Sequence, residues 1–268
     1  MKFINSNNFF SRNFKGDIEN NFFLLGVFFL ASAPFLGTLF LLFPLTKGII
    51  KNKAEIFNDR YNLALVSVSL IMVLRCILGH FDQNYLASWD PILNWIGLAN
   101  WIPLFCCFYG FQFYLRTPNE RKIFGLILIL GTFPVIVSGL GQSFFNWNGP
   151  LETLGGLIIW YQRPLENITE LTGLFNNPNY AGLWLNIVWP FCFAFLIRNR
   201  NNIFHVISGF LFTLSIAITT VLTNSRSAWI GLVLGTILIS GKKIIKVIPY
   251  LSLTSVFIFL TSLLPDLG

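Results

Sequence analysis

The chain reads as an all-α, polytopic transmembrane helix bundle of about eight or nine spans, with no sheet. Three observations predict this. Of its 268 residues, 54% are hydrophobic and only 11% charged, against about 25% charged in a soluble domain. Mean hydropathy is +0.67, more apolar surface than one aqueous core hides, so lipid must cover it. The apolar residues fall in runs close to the ~20 that a helix needs to cross a bilayer, and basic residues cluster between the runs.

A polar tail, residues 1–21, opens the chain, and residues 22–268 form one transmembrane domain. The first apolar run is too long for a signal-peptide core and lacks a clear cleavage site, so no cleavage is expected. Candidate spans are 22–46, 62–78, 93–115, 123–145, 180–197, 203–223, 227–240 and 247–264. Pro34 and Gly37 interrupt the first, which predicts two short helices or a tight hairpin broken near Pro34. A single tilted span with an outside N-terminus is the alternative. The only long loop is 146–179. Within it, 154–161 is apolar and ends in Trp160-Tyr161, which predicts a short helix lying in the interface.

Lys and Arg set the orientation. One loop holds Lys47, Lys51, Lys53 and Arg60, a second Arg116, Arg121 and Lys122, a third Arg198 and Arg200, and a fourth Lys242, Lys243 and Lys246. The alternate loops, including 146–179, lack such clusters. The basic set therefore faces the cytoplasm and 146–179 is extracytoplasmic. Lys2, Arg12 and Lys15 agree with this if the chain turns back near Pro34. The net charge of +7 is thus a topology signal, and no nucleic-acid partner is expected. Three arginines break the pattern: Arg75, Arg163 and Arg226. Positive residues are disfavoured on the outer face, so these three stand out as functional candidates.

Cys76, Cys106, Cys107 and Cys192 all lie inside apolar runs. They have no metal-ligand spacing and form no disulfide framework; they read as packing residues. No phosphate loop, zinc spacing or Ser-His-Asp set is present. No metal or cofactor is expected, and no residue is assigned as catalytic. His80, at the outer end of a span, reads as structural or as a base. His205 receives no catalytic role.

Two polar motifs sit at the ends of apolar segments: Gly173-Leu174-Phe175-Asn176-Asn177-Pro178-Asn179-Tyr180-Ala181-Gly182 and Thr223-Asn224-Ser225-Arg226-Ser227-Ala228-Trp229. Arg226 is flanked by Asn224, Ser225 and Ser227 at a helix start, where free N–H groups and the dipole favour an anion; a diphosphate suits it. Simple capping, with Arg226 snorkelling to the interface, is the competing account. Asn176, Asn177 and Asn179 surround Pro178. Their amides suit sugar hydroxyls or phosphate oxygens, and equally an Asn-Pro turn with an N-cap. Arg163 follows Trp160, Tyr161 and Gln162, a set that holds a sugar face and an anion or anchors the interface beside Glu166 and Glu170. Arg75 binds an anion or, as we favour, pairs with Asp82. The tryptophans form an interfacial belt, with sugar stacking at Trp89, Trp147 and Trp160 the lesser reading. Together these features point to a membrane enzyme or carrier for an anionic, lipid-linked substrate.

At these two motifs, in this order and each opening a span, the chain resembles the O-antigen ligase and O-antigen polymerase superfamily. Residues 91–191 are similar to cyanobacterial members. The resemblance implies a multi-pass protein of the bacterial inner (plasma) membrane that serves polysaccharide biosynthesis in the cell envelope. Such proteins move glycans from an undecaprenyl diphosphate carrier to lipid A core, another glycan or a protein, without metal or nucleotide. The implied partners are the lipid-linked glycan and the bilayer. By resemblance Arg226 holds the diphosphate, and Asn177, Pro178 and Asn179 shape the cavity beside it.

The resemblance also implies a departure. The family's large outer loop carries another arginine and a histidine base, and this chain ends at Pro265-Asp266-Leu267-Gly268, where that loop is expected to begin. A C-terminally truncated member is therefore expected, inactive as a transferase unless a separately encoded C-terminal part completes it. Neither His80 nor His205 matches the missing base. Three functions compete: a glycosyltransferase, a transporter like the branch assigned to bicarbonate, and a non-catalytic fragment that binds glycan lipids. Transporters place paired charges or broken helices at midplane between repeated halves. No such repeat is visible, and the three unusual arginines lie towards one face, which favours the first over the second; the missing loop favours the third over full activity.

Overall fold

The computed structural model describes residues 18–53, 58–81, 92–164, 170–198 and 203–241. These are mostly helical. The elements are α1 (Ile18–Phe29), α2 (Pro34–Asn52), α3 (Arg60–Phe81), α4 (Ile92–Phe111) ending in a 3-10 turn (Gln112–Leu115), α5 (Pro118–Gly131), α6 (Phe133–Phe145), β1 (Leu151–Thr153), β2 (Ile158–Trp160), α7 (Pro178–Arg198), α8 (Ile203–Leu222) and α9 (Arg226–Ser240). They form two compact units, Met1–Gly131 and Thr132–Gly268.

Among the described residues, five stretches are long and apolar enough to cross a membrane: Pro34–Asn52, Arg60–Gly79, Ile92–Leu115, Pro118–Phe145 and Pro178–Ile197. Ile18–Phe29, Val206–Leu222 and Arg226–Ser240 are apolar but shorter. Leu70, Ile71, Leu78, Ile203, Phe204 and Leu238 are among many large apolar side chains left exposed. That is the surface of an integral membrane protein, whose solvent is lipid. The expected span 247–264 and the cluster Lys242, Lys243 and Lys246 lie outside the described residues. So do Lys2, Arg12, Lys15, Asp82, Trp89, Glu166, Arg200, residues 265–268 and the side chains of His80 and His205.

In the first unit, α1 and α2 form the hairpin that Pro34 predicts. Leu30–Ala33 turn the chain, and Pro34 occupies the first turn of α2, where its missing N–H costs nothing. The arms run antiparallel. A side chain on Gly26 would strike Leu41, and one on Gly37 would strike the backbone of Leu30. Phe22 meets Phe40 and Phe43 edge-on, with centroids 5.6 and 5.5 Å away. At the open end Lys51 Nζ donates to Glu19 Oε2 at 2.5 Å. At 12 residues, α1 rises about 18 Å, short of a bilayer core of roughly 30 Å. Phe23 anchors the unit's core, stacked on Tyr114 and Phe124 and beside Phe111. Close glycines let α2 cross α4 at Gly48 and Gly110, and α1 cross α5 at Gly131.

In the second unit, α6 starts at Phe133-Pro134 after a turn at Thr132. The expected span 123–145 falls within the apolar stretch Pro118–Phe145, which the turn at Thr132 divides into α5 and α6. Helices α7, α8 and α9 pack together. Two expectations are corrected here. The chain does contain a sheet: β1 and β2 pair antiparallel, with Leu151 opposite Trp160 and Thr153 opposite Ile158. And 154–161 is not an interfacial helix. Gly155 and Gly156 take positive φ (65° and 88°) and turn the chain, while Ile158-Ile159-Trp160 is β-branched and aromatic and suits a strand.

Candidate functional site

The site lies where the 146–179 loop meets the starts of α7 and α9. The loop is not a surface festoon. Leu171, Thr172, Gly173 and Leu174 are buried, and Leu171 and Thr219 of α8 both pack against Gly139 of α6. Irregular backbone at such a place must find internal hydrogen bonds. Gln142 of α6 supplies them. Its Oε1 accepts the N–H groups of Thr172 (3.0 Å) and Gly173 (2.9 Å), and its Nε2 donates to the Arg163 carbonyl (2.6 Å) and to Thr172 Oγ1 (3.2 Å). Backbone bonds join Tyr161 and Gln162 to Leu174 and Gly173, and Leu171 N–H to the Leu222 carbonyl at the end of α8. The strand leaving β2, the segment entering α7 and the turn entering α9 are thereby tied to one another.

The two helix starts differ. Asn177 caps α7 in the standard way: Oδ1 accepts the Asn179 N–H at 2.8 Å, and its carbonyl accepts Tyr180 and Ala181. Ser225 precedes α9 but makes no side-chain cap. Its hydroxyl instead donates to Asn179 Oδ1 at 2.9 Å and lies 3.0 Å from Ser227 Oγ. One hydroxyl has one proton, so Ser227 is the donor in the second pair. The chain of bonds runs Ser227 to Ser225 to Asn179. It engages the oxygen of Asn179 and leaves that amide to act as a donor. Helix α9 keeps N–H groups that Ser225 does not cap, next to the exposed guanidinium of Arg226.

Small residues bring the two starts side by side. A Cβ on Gly182 would lie 2.7 Å from Ala228 Cβ and 3.3 Å from Thr223 Oγ1. One on Gly231 would strike the Asn186 amide. Lower down, Trp189 Nε1 donates to Thr236 Oγ1 at 2.9 Å. The contacts advance together along both helices, so α7 and α9 are parallel. Each N-terminus carries about half a positive charge, and Arg226 adds a full one. Among the described residues Arg226 has no acidic partner. The arrangement suits an anion with several oxygens.

The structure therefore brings Asn177, Asn179, Ser225 and Arg226 together. Arg163 belongs to the same unit. Its side chain is exposed, and its backbone is held by Gln142 and by Thr172, whose Oγ1 accepts the Arg163 N–H at 3.2 Å. Arg75 is exposed on α3 in the first unit. The sequence reading missed Gln142 and Ser138 and gave Gln162 no structural role; all three are buried, and Gln162 Nε2 donates to Ser138 Oγ at 2.5 Å. An available signal was a glutamine in the apolar run 123–145, since a polar group at that depth needs partners. No protein-family model, curated protein or solved structure matches this chain.

Proposed function

We propose that this chain is a multi-pass protein of the bacterial inner membrane that grips the diphosphate of an undecaprenyl diphosphate-linked glycan. Its reaction class is that of an O-antigen ligase or polymerase. The observation that carries this reading is the Ser225–Asn179 hydrogen bond, which joins the two motifs beside Arg226 at an uncapped helix start. The guanidinium fork matches two phosphate oxygens, and the N–H groups of α9 and the amide of Asn179 add donors. In glycan transfer the diphosphate leaves and gathers negative charge. Donors fixed in advance stabilise it without reorganising. Asn177 is a positioning residue: its Oδ1 caps α7 and holds the backbone of Asn179. The Lys- and Arg-rich loops mark the cytoplasmic face, the 146–179 loop the outer one, and the bundle holds about eight or nine spans.

Binding of an undecaprenyl diphosphate lipid to purified protein in detergent tests the reading. Arg226→Ala should weaken binding by about tenfold to a hundredfold, the worth of a charge-assisted hydrogen bond. Arg226→Lys should recover only part of it. Unchanged affinity in Arg226→Ala rejects the diphosphate role.

A further inference from the structure

The first unit carries a second cationic feature, unrelated to Arg226. Lys51 Nζ and Arg116 Cζ both sit over the Phe113 ring, 4.8 and 5.0 Å from its centroid. The Arg116 guanidinium also donates to Asn52 Oδ1 at 2.5 Å. Arg121 Nη1 donates to the carbonyls of Leu115 and Arg116, both at 2.8 Å, which places it beside Arg116. Lys47 lies one turn from Lys51 on α2, with Nζ 5.9 Å from the Phe43 centroid. Lys47, Lys51, Arg116 and Arg121 thus form a continuous strip, and all four are exposed.

Among the described residues, two acids at this end are already engaged. Glu19 meets Lys51. Glu120 is occupied in a capping box, its Oε2 accepting the Thr117 N–H and its own N–H donating to Thr117 Oγ1. The strip lies at one end of the unit, where the open end of the α1–α2 hairpin meets the 3-10 turn. The reciprocal amide pair of Asn62 and Gln112 ties the start of α3 to the same place. Cations laid over aromatic rings at the end of an apolar bundle sit at headgroup depth. A guanidinium pinned by Asn52 and Phe113 is oriented before any ligand arrives.

We propose that the Lys47–Lys51–Arg116–Arg121 strip is a binding site for the phosphate headgroup of an acidic phospholipid. The lipid chains lie along the apolar flank of the bundle, and the strip grips the phosphate, with Arg116 as its centre. A strip serving only as diffuse surface charge would treat every cation at this end alike. Lys53, exposed at the same end, makes none of these ring or guanidinium contacts and serves as the comparison.

The test is native mass spectrometry of the full chain titrated with phosphatidylglycerol or phosphatidylcholine. Phosphatidylglycerol should bind and phosphatidylcholine should not compete. Arg116→Gln should lower phosphatidylglycerol affinity about tenfold, Lys47→Gln about fivefold, and Lys53→Gln hardly at all. If Arg116→Gln fails to fold, Lys47→Gln against Lys53→Gln decides alone, because among the described residues Lys47 meets only the Phe43 ring. Equal losses in Lys47→Gln and Lys53→Gln, equal binding of the two lipids, or displacement by millimolar inorganic phosphate would each overturn the site.

Discussion

Asn177 and Asn179 show how one residue type divides its work within three positions. Asn177 spends its oxygen on the N–H of Asn179, so the capping account of the sequence holds for it. Asn179 reaches across to Ser225, a contact with no local signature, because it joins residues far apart in the chain. The motifs were legible as types; their meeting was implied only by the resemblance, which sets Asn177 and Asn179 beside Arg226. Gln142 was legible only as an anomaly in an apolar run. Its amide serves four groups, and replacing it by an apolar residue orphans two buried N–H groups. Each such orphan costs about 1–3 kcal/mol. Gln142→Leu should therefore destabilise the second unit by roughly 2 kcal/mol or more, read as a lowered Tm in detergent. A Tm equal to wild type would show that the loop does not depend on this residue.

Among the elements, the seam between α7 and α9 decides whether a site exists. Gly182, Ala228 and Gly231 let the helices run parallel in near contact, which sets their positive ends side by side. The sequence showed the two spans and their starts, because capping residues and apolar runs are local signals. It did not show that α7 and α9 are neighbours with α8 joining them, since small residues alone do not name a partner. Gly182→Val would overpack the seam, at a cost of about 1–3 kcal/mol, and should weaken diphosphate-lipid binding about tenfold by parting Asn179 from Ser225. Gly97, with open space around it, is the control, and Gly97→Val should bind like wild type. If Gly182→Val also binds like wild type, the seam does not position the site. The β1–β2 hairpin was missed for a similar reason. The run 154–161 is short and apolar, a pattern that strand and helix share, and the positive φ at Gly155 and Gly156 settled it.

For the whole molecule, composition decided most. A chain with 11% charged residues must place its apolar surface against lipid, and the described helices fall close to the runs read from the sequence. Pro34 announced the hairpin, because a proline suits the first turn of a helix, where its missing N–H costs nothing. The two-unit organisation was not legible, since it depends on which helices pack together. The central claim is that two motifs, one opening α7 and one opening α9, make a single anion site. A double-mutant cycle tests this most directly, with undecaprenyl diphosphate lipid binding measured for wild type, Asn179→Ala, Arg226→Ala and the double variant. One shared site predicts a coupling energy of about 0.5–3 kcal/mol between the two substitutions. Losses that simply add, within about 0.3–0.5 kcal/mol, would contradict it.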